Sequence, residues 1–334
     1  NDVFCYRCHV VYLPYMKKDE TRHQTLYRQY RPSDFAQVRG QGHVVDTLEK
    51  AVKNKKIAHA YLFSGGRGTG KTSVARILAR ALGVSDNDLY EIDAASNRGI
   101  DDIRELREGV YAMPFNSPYK LYIIDEAHML TKEAWNALLK TLEEPPAHCV
   151  FVLATTETHK VPETIRSRCE VYAFKQPTRE ILAQIVIDVG KSEDYIVDRS
   201  AAEQIALLAE GSFRDALSVL QKVLAVSDTK KIDVAVVEAV SGAPRGEIVR
   251  QVIKGLAERD ASMALSAIQN GIGDNMDART LAKILIHRMR VILLMRYAPE
   301  LAEELASELT EADLALANDV AKNPGITSDT LRVL

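Results

Sequence analysis

Only four cysteines occur in 334 residues, too few for a disulfide framework. A small stapled extracellular scaffold is excluded and a reduced, cytoplasmic protein is expected. Proline and glycine are also sparse, at 11 and 17, which excludes collagen-like and low-complexity chains. Long apolar runs are missing: the stretch Val291 to Met295 is closed by Arg290 and Arg296, far short of the ~20 residues a membrane-spanning helix needs. No membrane partner is expected. Charge of one sign is lacking as well. A net charge of −3 and a pI near 6.3 give no global positive field for nucleic acid, so any such contact must be a local patch.

What remains is a globular, helix-rich profile, 46% hydrophobic and 27% charged, in a chain long enough for two or three domains. Charge is unevenly spread: residues 1–60 carry eleven Lys and Arg against six Asp and Glu, whereas residues 297–334 carry two against eight. The basic end can face polyanions and the acidic end cannot. Cys5 and Cys8 form a C-x2-C with His9 and His23 nearby, but no second ligand pair has zinc spacing, so zinc is not expected there. Residues 1–24 show no capped amphipathic period and no signal-peptide core. They read as an extension of unknown role, with Met16 the expected native start.

The chemistry begins at Ala60. "AYLFS" is a short buried-type strand, followed by "GGRGTGKTS" and the helical run Val74 to Leu82. Strand, glycine-rich loop and helix in this order form a phosphate cradle from Gly65, Gly66, Arg67, Gly68, Thr69, Gly70, Lys71, Thr72 and Ser73. Backbone N–H groups and the helix start face the phosphates, Lys71 reaches the β- and γ-phosphates, and Thr72 ligates magnesium. A second strand, within "YKLYIIDEAHML" (119–130), ends in two carboxylates. Asp125 suits the magnesium shell, and Glu126 suits orientation and deprotonation of a water. A third strand, "CVFVLATT" (149–156), ends in hydroxyls, and Thr156 is placed where a parallel sheet binds ligands, beyond its strand ends. ATP and Mg2+ are the expected cofactors. Strand and helix alternate across residues 44–174, which predicts a doubly wound α/β sheet. After Gln176 strands are expected to stop, leaving helices over 178–226 and 244–334.

The combination "QYRPSDFAQVRGQGHVV", "HAYLFSGGRGTGKTSVARILA", "YEIDAASNRGIDDIREL", "YIIDEAHMLTKEAWNALLKTLEEPP", "FVLATTETHKVPETIRSRC" and "GSFRDALSVL" resembles the gamma/tau subunits of bacterial DNA polymerase III, the AAA+ motors of the sliding-clamp loader. The resemblance runs from about Leu26 to Leu224 and is weaker beyond residue 240. It implies an AAA+ nucleotide-binding domain over 25–177, a helical lid over 178–241 and an all-helical collar or oligomerisation domain over 242–334. It implies that Tyr30, Arg31, Pro32 and Val38 lie on the adenine side, that Arg214 is a sensor reaching the γ-phosphate from the lid, and that Arg168 of "TIRSRC" is an arginine finger supplied in trans. By itself Arg168 also fits a solvated surface charge. Asn97, Arg98 and Thr164 are implied as DNA contacts at helix starts, the alternative being simple helix capping. The implied partners are other clamp-loader subunits in a hetero-oligomer, expected to be a pentamer, the sliding clamp and primer-template DNA.

Many members of that family carry a four-cysteine zinc module between the P-loop helix and the "EIDAAS" strand. Here only "GVSDNDL" (83–89) joins them, so zinc-dependent contacts are not expected. Cys149 and Cys169 are read as packing residues. The chain ends at Leu334 amid "TSDTLRVL", which reads as a truncated chain or a short gamma-like form, and its last helices fit either a collar or a monomeric cap. Two other functions stay open: a different AAA+ DNA remodeller, and a clamp-loader scaffold that holds ATP without hydrolysing it.

Overall fold

A computed structural model describes residues 24–97, 99–227, 229–241, 244–273, 277–298, 300 and 309–322. Cys5, Cys8, His9, Met16, His23, Arg98 and Leu334 lie outside the described residues. Five strands, β1 (Ala60–Gly65), β2 (Leu89–Asp93), β3 (Lys120–Asp125), β4 (Cys149–Thr155) and β5 (Glu170–Phe174), form one parallel sheet in the order β2-β3-β4-β1-β5. Every residue of β4 and the first five of β1 and β3 are buried. That is the pattern of strands covered by helices on both faces.

Alternate side chains feed two separate cores. On one face Tyr61, Phe63, Ile123 and Val152 pack with Val44 and Leu48 of α2 (Gly42–Lys53) and Val74 and Leu78 of α3 (Lys71–Ala81). On the other, Leu62, Ile124 and Leu153 pack with Ile103 and Leu106 of α4 (Ile100–Val110) and Trp135 and Leu138 of α5 (Lys132–Glu143). The helices start where the sequence offers caps: Thr131 accepts from the Ala134 N–H at 3.2 Å to open α5, which satisfies one of the orphan donors of a helix start.

Beyond the sheet, α6 (Glu163–Arg166) precedes β5, and α7 (Arg179–Ser192), α8 (Arg199–Leu208), α9 (Phe213–Val226) and α10 (Val234–Ser241) share a third core of Leu182, Val186, Ile205, Leu217 and Leu220. Leu26, from the short helix α1 (Leu26–Gln29) that comes before the sheet in sequence, is buried in this same core, and its N–H donates to Gln221 Oε1 at 2.9 Å. A fourth core joins α11 (Gly246–Glu258), α13 (Ala278–Tyr297) and α14 (Glu311–Lys322) through Val252, Ile284, Met289 and Val320. The helix Ala261–Gly273, α12, lies between α11 and α13 in sequence.

Strands do not stop after Gln176. Ile196–Val197 and Lys231–Ile232 pair in parallel as a second, two-stranded sheet. Two residues are too few to show a period, and the pairing joins segments 35 positions apart, so the pattern reading missed it. Among the described residues no helix is long and apolar enough to cross a membrane.

Candidate nucleotide site

The loop between β1 and α3 turns on glycines that no other residue replaces. Gly65 has φ 147° and Gly68 has φ 70°. A Cβ at Gly65 would run into the Phe174 carbonyl, and one at Gly68 into the Ser212 hydroxyl. Gly70, in the left-handed region, is the last residue before α3. The loop curls over its own lysine: Lys71, which is buried, donates from Nζ to the carbonyls of Gly65 and Gly66 at 2.8 Å each. Thr69 closes the turn with a bond from Oγ1 to the Gly66 carbonyl at 2.9 Å. Arg67 is exposed, and Ser73 is half-buried in the first turn of α3.

The ends of neighbouring strands complete the site. Thr72 Oγ1 donates to Asp125 Oδ2 at 2.8 Å, so a hydroxyl and a carboxylate from two elements converge as hard oxygen donors of the kind magnesium takes. Glu126 follows with φ 48°, a left-handed backbone that costs a non-glycine residue about 1–2 kcal/mol and recurs at functional sites. Its carboxylate Oε2 accepts from Thr156 Oγ1 at 3.1 Å. Thus Thr72, Asp125, Glu126 and Thr156 are joined in two bonded pairs, 53 and 30 residues apart in sequence. Burial lowers the Lys71 pKa; Glu126 and Asp125 oppose that, and the charge of Arg214 adds to it.

Arg214 projects from the first turn of α9 with its guanidinium carbon 5.4 Å from the centre of the Tyr27 ring. The start of α9 touches the loop directly: the Phe213 N–H donates to the Gly68 carbonyl at 3.0 Å. The residues expected on the adenine side do not form one cluster. Tyr30 packs against the α7–α10 core and its hydroxyl donates to Glu193 Oε1 at 2.6 Å, while Val38 packs against the sheet core. Arg31 and Pro32, between them, are half-buried. Burial, then the nearby Arg76, lowers the Arg31 pKa.

Arg168 bonds to Glu143 Oε1 at 2.7 Å and to the Thr164 carbonyl at 2.6 Å. Its recorded bonds among the described residues lie on α5, α6 and the residue beside it, and none is with the loop of its own chain. Asn97 and Thr164 are exposed. Asn97 Nδ2 donates to the Asp93 carbonyl at 3.2 Å, in the turn before α4, which begins at Ile100. Cys149 is buried and Cys169 is partly buried against the sheet core. Burial pushes both thiols up to about 11, which keeps them inert.

Gln41 was invisible in the sequence. Fully buried, it donates from Nε2 to the Lys175 carbonyl at 2.7 Å and the Thr69 carbonyl at 3.4 Å, and accepts the Lys175 N–H at 3.1 Å. It ties the phosphate loop to the chain just after β5. Its only sequence signal is an amide beside a helix start, which is common on any surface.

Comparison with known proteins supplies the lineage. A family model described as DNA polymerase III, delta subunit matches residues 40–95 and 83–178. The DNA polymerase III subunit tau of Bacillus subtilis is 41% identical over 301 residues, covering 84% of this chain and 53% of that protein. The subunit tau of Escherichia coli is 35% identical over 316 residues, covering 88% and 49%. The gamma/tau subunit of Mycobacterium tuberculosis H37Rv is 38% identical over 300 residues, covering 83% and 52%. The chain belongs to the DNA polymerase III gamma/tau family. It spans about half the length of the curated relatives it matches. Among solved structures, the Thermotoga maritima RuvB Holliday junction branch migration motor overlays 76% of this gamma/tau chain and 88% of its own, with a TM-score of 0.55 at 22% identity. That likeness is one of fold: a parallel five-stranded α/β sheet followed by a helical C-terminal region.

Proposed function

We propose that the chain is an ATP-hydrolysing motor subunit of the DNA polymerase III clamp loader, which opens the sliding clamp and loads it on primed DNA. The observation that carries the reading is the convergence of Thr72 on Asp125 and of Thr156 on Glu126 at the carboxyl ends of three adjacent parallel strands, beside a glycine-rich loop that already holds Lys71. A scaffold that only holds nucleotide needs the loop but not the Glu126–Thr156 pair.

In this reading the N–H groups of residues 65–73 and the start of α3 bind the phosphates, and Lys71 exchanges its two loop carbonyls for phosphate oxygens. Thr72 and Asp125 would hold Mg2+, which would neutralise charge developing on the phosphates. Glu126 takes a proton from the attacking water, with Thr156 fixing its carboxylate. Tyr30, Arg31, Pro32 and Val38 border the base. Arg214 contributes a second cation from the lid side, where Phe213 already contacts the loop. Arg168 serves the neighbouring subunit: its planar, permanently charged fork suits phosphate oxygens, and it lies outside its own loop's bonding network.

The proposed units are the nucleotide-binding domain over 25–177, the lid over 178–241 and the collar over 242–334. They work in a cytoplasmic hetero-oligomer of clamp-loader subunits, a pentamer, with Asn97, Arg98 and Thr164 toward DNA. Steady-state ATPase measurement of the assembled complex, with and without clamp and primed DNA, tests this. Stimulation by both is expected. Binding without turnover would establish the scaffold instead, and turnover indifferent to the clamp would point to another DNA remodeller.

A further inference from the structure

His128 lies three residues past Asp125 and takes no part in the chemistry described above. Its side chain is only 7% exposed, yet polar groups surround it. Nδ1 is 3.0 Å from Thr155 Oγ1 and 3.5 Å from Glu126 Oε2, and Nε2 is 3.4 Å from Glu157 Oε1. Thr155 Oγ1 in turn accepts the Glu157 N–H at 3.0 Å. The imidazole therefore spans the whole turn that leaves β4, from Thr155 to Glu157, and the residue in the middle of that turn is Thr156, which bonds Glu126 on the same oxygen that faces His128.

Nδ1 and the Thr155 hydroxyl form a hydrogen bond whose direction follows the ring tautomer, and the Thr155 oxygen also accepts the Glu157 N–H. Each polar group in this closed circuit has a partner, as buried polar groups require. The circuit is not needed to build the sheet, whose strand β4 is already fully buried and paired on both sides.

We propose that His128 is a positioning residue for hydrolysis: by locking the Thr155–Glu157 turn it fixes the Thr156 hydroxyl, and through it the attitude of the Glu126 carboxylate. This rests on the reading of Glu126 as the base. His128 acts on the base through the turn that carries Thr156, with its own Nδ1 3.5 Å from Glu126 Oε2. Its removal frees a turn that orients the base, and misplacement of a catalytic group by about 1 Å costs on the order of 10²-fold in rate.

The test uses the full chain assembled with its partner subunits, clamp and primed DNA. His128→Ala is expected to lower kcat about 10- to 100-fold, with ATP affinity and KM unchanged. Asn places an amide near the Nδ1 position and Gln near the Nε2 position, so His128→Asn should recover most of kcat by keeping the Thr155 arm, and His128→Gln should recover less. Thr155→Val should match the alanine variant, and the double variant should be no worse than either single one, since residues acting as one unit are not additive. An unchanged kcat in His128→Ala overturns the proposal. So does a parallel loss of ATP binding and melting temperature that Asn does not restore, because that is the signature of a packing role. If the unmutated assembly itself fails to hydrolyse ATP, the hydrolytic function falls first and His128 with it; activity in the parent but not in Glu126→Gln, together with full activity in His128→Ala, removes His128 alone.

Discussion

In the proposed site Lys71 and Glu126 carry separable duties. Lys71 is the buried cation of the loop, held by two carbonyls that phosphate oxygens would replace. Lys71→Ala is expected to abolish ATP binding, measured by equilibrium titration with a fluorescent ATP analogue. Glu126→Gln keeps the size of the side chain and its bond from Thr156 but loses the base. ATP should bind with near-parental affinity while turnover falls by about 10² to 10⁴-fold, the usual worth of a positioned base. Equal ATPase rates in Glu126→Gln and the parent would show that another group takes the proton. Both residues were legible in the sequence because each lies in a contiguous strand-to-loop segment whose neighbours define its role.

Elements constrain one another through a few close approaches. The start of α9 lies against the phosphate loop, where the Ser212 side chain occupies the space a Cβ on Gly68 would need. Gly68→Ala must therefore displace either the loop or the start of α9, and it also forces alanine to φ 70°. ATP affinity should fall at least tenfold while the sheet stays folded, which isothermal titration together with far-UV circular dichroism can check. The segment joining α3 to β2 has its own anchor. Asp88 is buried, which raises its pKa, but the N–H groups of Phe115 and Asn116 with the Ser117 and Ser85 hydroxyls outweigh burial and hold it down at about 2. A carboxyl held below its unfolded value stabilises the fold above that value, near 3.8, and loses the contribution as pH falls toward 2. Asp88→Asn should flatten the dependence of the urea midpoint on pH between about 4 and 2; a slope equal to the parent's would assign acid sensitivity to other carboxylates.

At the scale of the whole assembly, the question is whose nucleotide Arg168 serves. In a finger supplied in trans, Arg168→Ala subunits bind ATP normally yet silence intact neighbours whose sites face them. An arginine finger is worth about 10³ to 10⁵ in rate, against the few-fold effect of a surface charge. Assemblies mixed from Arg168→Ala and Glu126→Gln subunits, each nearly inactive alone, should therefore regain ATPase activity, because the Glu126→Gln subunit still supplies Arg168 to the intact site of its neighbour. No recovery in such mixtures would return Arg168 to the ion pair it makes with Glu143.

The sequence alone determined the phosphate loop, the Asp125–Glu126 pair, a strand over 149–156 that the structure ends at Thr155, and the alternation that makes a doubly wound sheet, because each is written in a contiguous stretch whose period or spacing has one physical reading. Only the tertiary structure decided the strand order, which places β1 between β4 and β5 although 83 residues separate the end of β1 from the start of β4. It also decided that Leu26 is buried in the α7–α10 core rather than in the sheet's, that Ile196–Val197 finds Lys231–Ile232, and that Gln41 bonds Lys175 from 134 residues away. Such contacts depend on which apolar faces meet once the chain is compact. A buried amide or a two-residue strand acquires its partner only then, and nothing within a short window of sequence distinguishes it from its exposed counterparts.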